Sequence, residues 1–402
     1  MLSSAEYVTI GHPDRMCDCI AANLINRIQQ NDGINSHAAI EVFAANDTIV
    51  FGGEVKTSLK LNKKLLKKVV EETFIDCGYT PNKREQFNKN EVLLAKDVKI
   101  KNLIHAQSPD IAIATTNLKD ESGFNDQGIF YGAYDSASPT GQGLIKYFAQ
   151  KFGNYLFDYS FCDFRYGSDI KVCFVAEVSD DDLYTVKSIK HITVAIPSKD
   201  SSVKEKVEDL FNAWLKTDSI KPYAKYFKND ITFTVNGTGR YVSHGFHSDS
   251  SMTGRKIIVN NMSVGPVCMQ NQSGGGSMIK PFHASDLLLP LAATWISKTI
   301  VESGSTPYAG VNISCSIGSK TLDSISFYGT PEFNEKMKGK KLSINLSPSS
   351  LANEWGYPNC FDFYKMVKNN FIGDYPWFDT KKIKSEISDF IYKDYKEKFI
   401  SF

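Results

Sequence analysis

The sequence predicts an α+β fold of three similar subdomains, each a sheet with helices on one face. Two observations carry the prediction. A β-hairpin followed by a helix recurs three times, spaced by roughly a third of the chain. The 402 residues, 42% hydrophobic and 12% aromatic, also exceed what a single hydrophobic core usually organises.

Taken in order, Gly11-His12-Pro13-Asp14-Arg15 starts a helix, because Pro13 suits the first helical position. Cys17, Ile20, Ala21, Leu24, Ile25 and Ile28 then keep a helical period. The first hairpin runs from Ala38 to Lys56 around the turn Asn46-Asp47, and Leu65, Val69, Val70 and Phe74 mark the helix after it. In the second unit KVCFVAEV, the acidic turn Asp180-Asp181-Asp182 and the run Ile189 to Ile196 form the hairpin. Val203, Val207, Leu210, Phe211 and Trp214 line its helix. GVNISCSIG and SISFYG make the third hairpin, with Pro331 to Met337 after it. Ile257-Ile258-Val259 reads as a strand entered from the loop Thr253-Gly254-Arg255-Lys256. In the basic, aromatic tail, Ile383, Ile387, Phe390 and Ile391 fit an amphipathic helix docked on the body.

Composition removes whole classes of partner. With 46 basic and 45 acidic residues, no global field attracts nucleic acid or an acidic membrane surface. The longest apolar run, Leu287 to Ile296, contains Pro290 and is too short to span a bilayer. No secretory signal is visible, and the eight cysteines lack CxxC spacing, so a reducing, cytoplasmic setting is expected.

Several segments bear chemistry. His12 and Asp14 sit at a helix N-terminus, where free N–H groups favour phosphate and a carboxylate can hold Mg²⁺. Plain capping also accounts for Asp14. Arg255 and Lys256 are adjacent, so one of them points away from the core. Gln272 to Ser277, with Lys280 beyond, can turn several N–H groups toward an anion, though a triple glycine also serves as a linker. Gln107-Ser108-Pro109-Asp110 and Gly123 to Gly128 are turn-like segments carrying carboxylates and amides.

The joint occurrence of these segments in order resembles the S-adenosylmethionine synthetase family. Glu6 to Arg15 is similar to its Glu-Ser-Val-Thr-Glu-Gly-His-Pro-Asp-Lys motif. Gly52-Gly53-Glu54, Asp126-Gln127-Gly128, Thr238-Gly239-Arg240-Tyr241, Thr253 to Val259, Gly274 to Gly276, Ser316-Ile317-Gly318 and Tyr375-Pro376-Trp377 follow in family order. The likeness covers Glu6 to about Trp377 at low overall identity, so a divergent member is expected. It implies mixed sheets in a pseudo-threefold arrangement, with subdomains at 1–112, 124–243 and 244–402 that exchange strands and helices. It also implies a flexible active-site loop at 107–123.

The resemblance implies attack of the L-methionine sulfur on C5′ of ATP. Triphosphate leaves and is then cleaved to phosphate and diphosphate. His12, Lys171, Arg255, Lys256 and Lys280 would be catalytic, surrounding the triphosphate. Asp169, Arg240, Tyr241, Asp249, Ser277 and Ile317 would complete the ATP site. Glu54, Gln107, Asp126, Asp249 and Lys280 would face methionine. Asp14 and Asp286 match Mg²⁺ carboxylates, and Glu41 matches a K⁺ ligand. A homodimer, or dimer of dimers, with the site at the interface is implied.

The departures keep other readings open. A family lysine near the methionine carboxylate is replaced at or beside Ala284, with His283 as a possible substitute. Ile10 replaces a glutamate, Arg15 a lysine, and Phe124-Asn125 an Ala-Gly pair. Phe124 would narrow the pocket or pack beneath it. An adenosyltransferase with altered acceptor or triphosphatase activity is one alternative, and a non-catalytic partner subunit another.

Overall fold

Among the described residues three sheets of four or five strands, each built on one of the predicted hairpins, stand beside a two-stranded ribbon of Ser263–Val264 and Met269–Gln270. The structure is a computed structural model describing all residues except 34–35, 108–122, 181–184, 229, 261–262, 265–268, 271, 274–275, 339–344, 357–361 and 379–402. The predicted tail helix and most of the predicted 107–123 loop therefore lie outside the described residues.

In chain order the main elements begin with β1 (Leu2–Val8), α1 (Pro13–Asp32), β2 (His37–Ala45), β3 (Thr48–Lys56), α2 (Lys63–Asp76) and β4 (Lys99–Asn102). There follow β5 (Gly128–Asp135), α3 (Leu144–Cys162), β6 (Lys171–Val178), β7 (Val186–Ala195), α4 (Val203–Trp214) and β8 (Thr232–Val235). Last come α5 (Ser285–Glu302), β9 (Tyr308–Cys315) and β10 (Ser324–Tyr328).

The first sheet pairs β2 and β3 antiparallel around Asn46, whose φ of 49° suits an asparagine turn. β4 adds parallel to β3, and Ser251–Met252 adds antiparallel to β2. The second sheet runs β1, β6, β7, β8, so the N-terminal strand crosses to a hairpin more than 160 residues away. The third runs Gln272–Ser273, β5, β9, β10, antiparallel throughout its described strands.

These three sheets share two apolar cores. α3 and α4 cover the second sheet, with Phe148, Phe152, Phe174, Phe211 and Trp214 interlocking. The first and third sheets share the other core, because α5 is apolar nearly all round and α1 is buried on every side, its buried Asp14, Arg15, Asp18, Asn23 and Asn26 included. Ile20, Leu24, Val42 and Phe51 belong to that core together with Phe130, Leu288, Val311 and Trp377. One prediction fails locally. Ile257–Asn260 is a single helical turn rather than a strand, because the chain after Gly254 folds back over β1 instead of joining a sheet edge.

Candidate active site

The start of α1 organises the site. His12 is the N-cap in an extended conformation, and its Nδ1 accepts from the Asp14 amide at 3.2 Å. Its Nε2 therefore carries the proton. Gly11 permits this entry, since a Cβ there would lie 2.2 Å from the Ser168 carbonyl oxygen. That close approach docks the loop before β6, which carries Asp169 and Lys171, onto the α1 N-terminus. Thr9 Oγ1 fixes the same Ser168 carbonyl at 2.7 Å.

Asp14 is completely buried, accepts hydrogen bonds from two groups of one turn and ion-pairs with a third. These are the Met252 amide at 3.0 Å, Lys256 Nζ at 2.6 Å and, more loosely, Arg255 Nε at 3.4 Å. One helical turn on, Asp18 accepts from the Gly254 amide at 2.8 Å and from Arg15 Nη1 at 2.7 Å. Two carboxylates on one helix face thus grip residues 252–256. Thr253 locks the other side of that turn to β2: Val42 N donates to its Oγ1 at 2.8 Å.

Burial holds His12 neutral, with its pKa lowered to about 3, and the charges of Lys256 and Lys171 push the same way. His12 is thus a neutral hydrogen-bond donor in this state. Lys171 is exposed and pairs with Glu6 on β1 at 2.8 Å. Beside it, burial raises the Asp169 carboxyl to about 7, opposed by hydrogen bonds from the Tyr241 hydroxyl and the Gly245 amide. Asp249 and Asp14 add repulsion. Arg240 is exposed, and its charge acts on Glu91.

A second group adjoins through Asp18. Glu41 on β2 lies 3.9 Å from Lys280, and its carboxyl is raised by burial although Lys280 opposes this. Asp286 stands in the first turn of α5, its carboxylate lying over Gly276, where a Cβ would come within 2.4 Å. Ser277 Oγ accepts from the Ile279 amide at 3.1 Å. Asp126 and Ile317 are exposed near the same end of the third sheet, where Asp126 and Asp286 both act on the Cys315 thiol.

Glu54 lies two residues along β3 from Gly52, the cross-strand partner of Glu41, and Gln107 follows the short strand His105–Ala106 that pairs parallel with Glu54 and Val55. The Gln107 amide donates to Val55 at 2.9 Å, and its side-chain oxygen is buried with no partner among the described residues.

The departures have physical reasons. Phe124 is buried in the main core, so it packs beneath the site and does not narrow it. Asn125 Oδ1 accepts from the Ser285 amide at 2.7 Å and its hydroxyl at 2.9 Å, capping α5. Arg15 spans from Asp18 to the Val367 carbonyl at 2.7 Å and Asn370 Oδ1 at 2.9 Å, a fork that a lysine could not reproduce. Ala284 is buried as the N-cap of α5. His283 packs on His37 with ring centroids 4.3 Å apart, and burial lowers its pKa to about 3. It is neutral at pH 7, so it does not replace a lysine charge.

Among the described residues no group of three or more His, Cys, Asp or Glu side chains could hold a metal alone. Asp14 and Asp286 are single hard-oxygen donors, the type that binds Mg²⁺ together with substrate phosphates. No described helix is long and apolar enough to cross a membrane. Sequence reading missed Asp18, Glu6 and Asn125. Asp18 was within reach, because four residues from Asp14 is one turn of the same face.

Known proteins supply the comparison. Residues 1–109 match the N-terminal domain of S-adenosylmethionine synthetases and residues 243–372 the C-terminal domain. An S-adenosylmethionine synthase of Fusobacterium nucleatum is 26% identical over 394 residues, covering 94% of this chain and 96% of the relative. One from Flavobacterium psychrophilum is 28% identical over 354 residues, covering 83% and 79%. The solved structure of an unusual S-adenosylmethionine synthetase from Campylobacter jejuni superposes with a TM-score of 0.81 at 24% identity, covering 96% and 98%.

Proposed function

The chain belongs to the S-adenosylmethionine synthetase family, and on that premise we propose that it makes S-adenosylmethionine from ATP and L-methionine as a methionine adenosyltransferase. The methionine sulfur attacks C5′, a C–S bond forms, and the C5′–O bond breaks with its electron pair leaving on triphosphate. Water then cleaves the triphosphate to phosphate and diphosphate. A thioether needs no general base, so catalysis rests on positioning and on stabilising the leaving charge.

The observation that carries this reading is the buried Asp14 carboxylate with Lys256 and Arg255 folded onto it at the helix N-terminus. Each cation about 4 Å from a phosphate charge interacts by about 4 kcal/mol at an effective dielectric of about 20. Arg255, Lys256, Lys171 and Lys280 supply the charge, while the neutral His12 donates Nε2–H toward the breaking bond. Asp169, Arg240, Tyr241, Asp249, Ser277 and Ile317 hold the nucleotide. Glu54, Gln107, Asp126, Asp249 and Lys280 hold methionine, and the Gln107 oxygen, unpartnered among the described residues, suits its ammonium.

Asp14 and Asp286 would hold Mg²⁺, and Glu41 K⁺, in the cytoplasm, where both ions are available. Bound Mg²⁺ would neutralise phosphate charge. The apolar side chains of Phe43, Met252 and Ile129, exposed on the sheets beside Glu41 and Asp126, support a homodimer or dimer of dimers with the site at its interface. Subdomains 1–112, 124–243 and 244–402, with β1 crossing between them, belong to the same reading.

A second reading rests on Ala284 and His283. Neither offers a cation to an acceptor carboxylate, which favours an altered acceptor or triphosphatase activity. Incubation with ATP, Mg²⁺ and K⁺, with methionine or other thioethers, separates the readings by mass spectrometry. S-adenosylmethionine formed only with methionine, and abolished by Lys280→Ala, supports the first. A different sulfonium product supports the second, and no turnover or ATP binding leaves a non-catalytic partner subunit.

A further inference from the structure

Lys146 plays no part in the site described above, yet it lies directly beneath it. It is the third residue of α3, and its side chain is buried. Nζ donates to the Glu6 carbonyl at 2.6 Å and to the Val259 carbonyl, and lies 5.6 Å from the centre of the Tyr7 ring. A cation in the first turn of a helix opposes the helix dipole, and burying an ammonium is costly. Burial accordingly lowers its pKa to about 7. A methionine or leucine would fill the same space under β1 without either cost.

The two acceptors give Lys146 a purpose. Val259 belongs to the single helical turn Ile257–Asn260, which follows Arg255-Lys256 and packs on β1. Carbonyls of so short a helix have no intrahelical partner, and the ammonium supplies one. Glu6 belongs to β1, and its carboxylate holds Lys171 at 2.8 Å. One buried side chain therefore joins the segment bearing Arg255 and Lys256 to the strand that orients Lys171.

We propose that Lys146 is a positioning residue for the triphosphate site: by clamping the Glu6 and Val259 carbonyls it sets the spacing between Lys171 and the Arg255-Lys256 pair. This rests on the functional reading above for the ligand, a triphosphate chain. It adds a residue that touches neither ATP nor methionine. Three cations that must meet one flexible polyanion lose affinity when their spacing relaxes. Methionine, whose proposed contacts are Glu54, Gln107, Asp126, Asp249 and Lys280, is unaffected.

The test uses full-length Lys146→Met, with inorganic tripolyphosphate as the calorimetric probe, followed by steady-state kinetics. Tripolyphosphate binding is expected to weaken on the order of tenfold or more. KM for ATP rises in parallel, KM for methionine stays within about twofold, and the thermal midpoint is unchanged or higher. A variant that merely loses folded protein would lower kcat and leave both KM values alone. If Lys146→Met does not fold, Lys146→Gln, which keeps an uncharged donor in the same space, takes its place. Unchanged tripolyphosphate affinity and unchanged KM for ATP would overturn the proposal. A wild-type protein that does not bind tripolyphosphate would instead overturn the functional reading beneath it.

Discussion

Asp14→Asn is the substitution whose consequences differ most between readings of the site. It keeps the side-chain shape and removes one charge from a carboxylate that no solvent reaches. Lys256 at 2.6 Å and Arg255 at 3.4 Å both lose a charged partner, although Arg255 keeps the Ser250 carbonyl at 3.0 Å. Breaking a fully buried pair costs about 3–5 kcal/mol. Here Arg255 is 44% exposed and Lys256 17%, so solvent screens both and the expected loss of stability is about 2 kcal/mol. The ligand responds in the opposite sense. Without metal, the Asp14 charge competes with phosphate for both cations, and its removal is expected to tighten tripolyphosphate binding about tenfold, about 1.4 kcal/mol. With Mg²⁺, turnover is expected to fall at least a hundredfold, on the order of 3 kcal/mol of barrier, because a metal carboxylate is gone. Calorimetry in EDTA and turnover in Mg²⁺, on the same preparation, read the two signs. Weaker tripolyphosphate binding in EDTA would refute the reasoning, since Asp14 would then be holding the cations in place rather than competing for them.

Gly276→Ala places a methyl group against the Asp286 carboxylate, and it is expected to raise the Mg²⁺ concentration for half-maximal activity with little change in thermal midpoint. Phe124→Ala opens a cavity in the main core and is expected to cost about 3–5 kcal/mol in denaturant unfolding, while KM for methionine in the folded fraction stays unchanged. Asn125→Ala removes the α5 cap and is expected to cost about 1 kcal/mol in the same measurement. Burial lowers the pKa values of His37, His244 and His283 from 6.5 to about 4, 4 and 3. The unfolded chain therefore binds more protons below pH 6.5, so this stability is present above that pH and is lost as pH falls. Each histidine is expected to contribute a loss of about 2 kcal/mol by a pH of about 5. Denaturant midpoints at the two pH values check this, and His283→Leu flattens the difference.

What was legible in the sequence was local. The β2–β3 and β6–β7 hairpins follow from alternating apolar runs around Asn46 and the acidic turn, and α1 follows from Pro13 and the Cys17 to Ile28 period. Long-range pairing was not legible. Nothing in Glu6 to Val8 announces that β1 joins β6, which places the Glu6 carboxylate against Lys171. The run after Lys256 has strand propensity, but with no sheet edge to join it closes into one helical turn. Tertiary context overrides propensity in short segments. Charge state was hidden for the same reason. His283 read as a possible substitute for a lysine, and burial, invisible in the sequence, keeps it neutral, as it does His12.

The central claim is that triphosphate leaves C5′ intact while sulfur takes its place. A single-turnover reaction with an ATP analogue carrying an imido bridge between the β and γ phosphates tests it directly, because the released chain cannot be cleaved at that bridge. The account predicts S-adenosylmethionine and intact imidotriphosphate in equal amounts. Release of adenosine monophosphate and imidodiphosphate, with no sulfonium product, would contradict it.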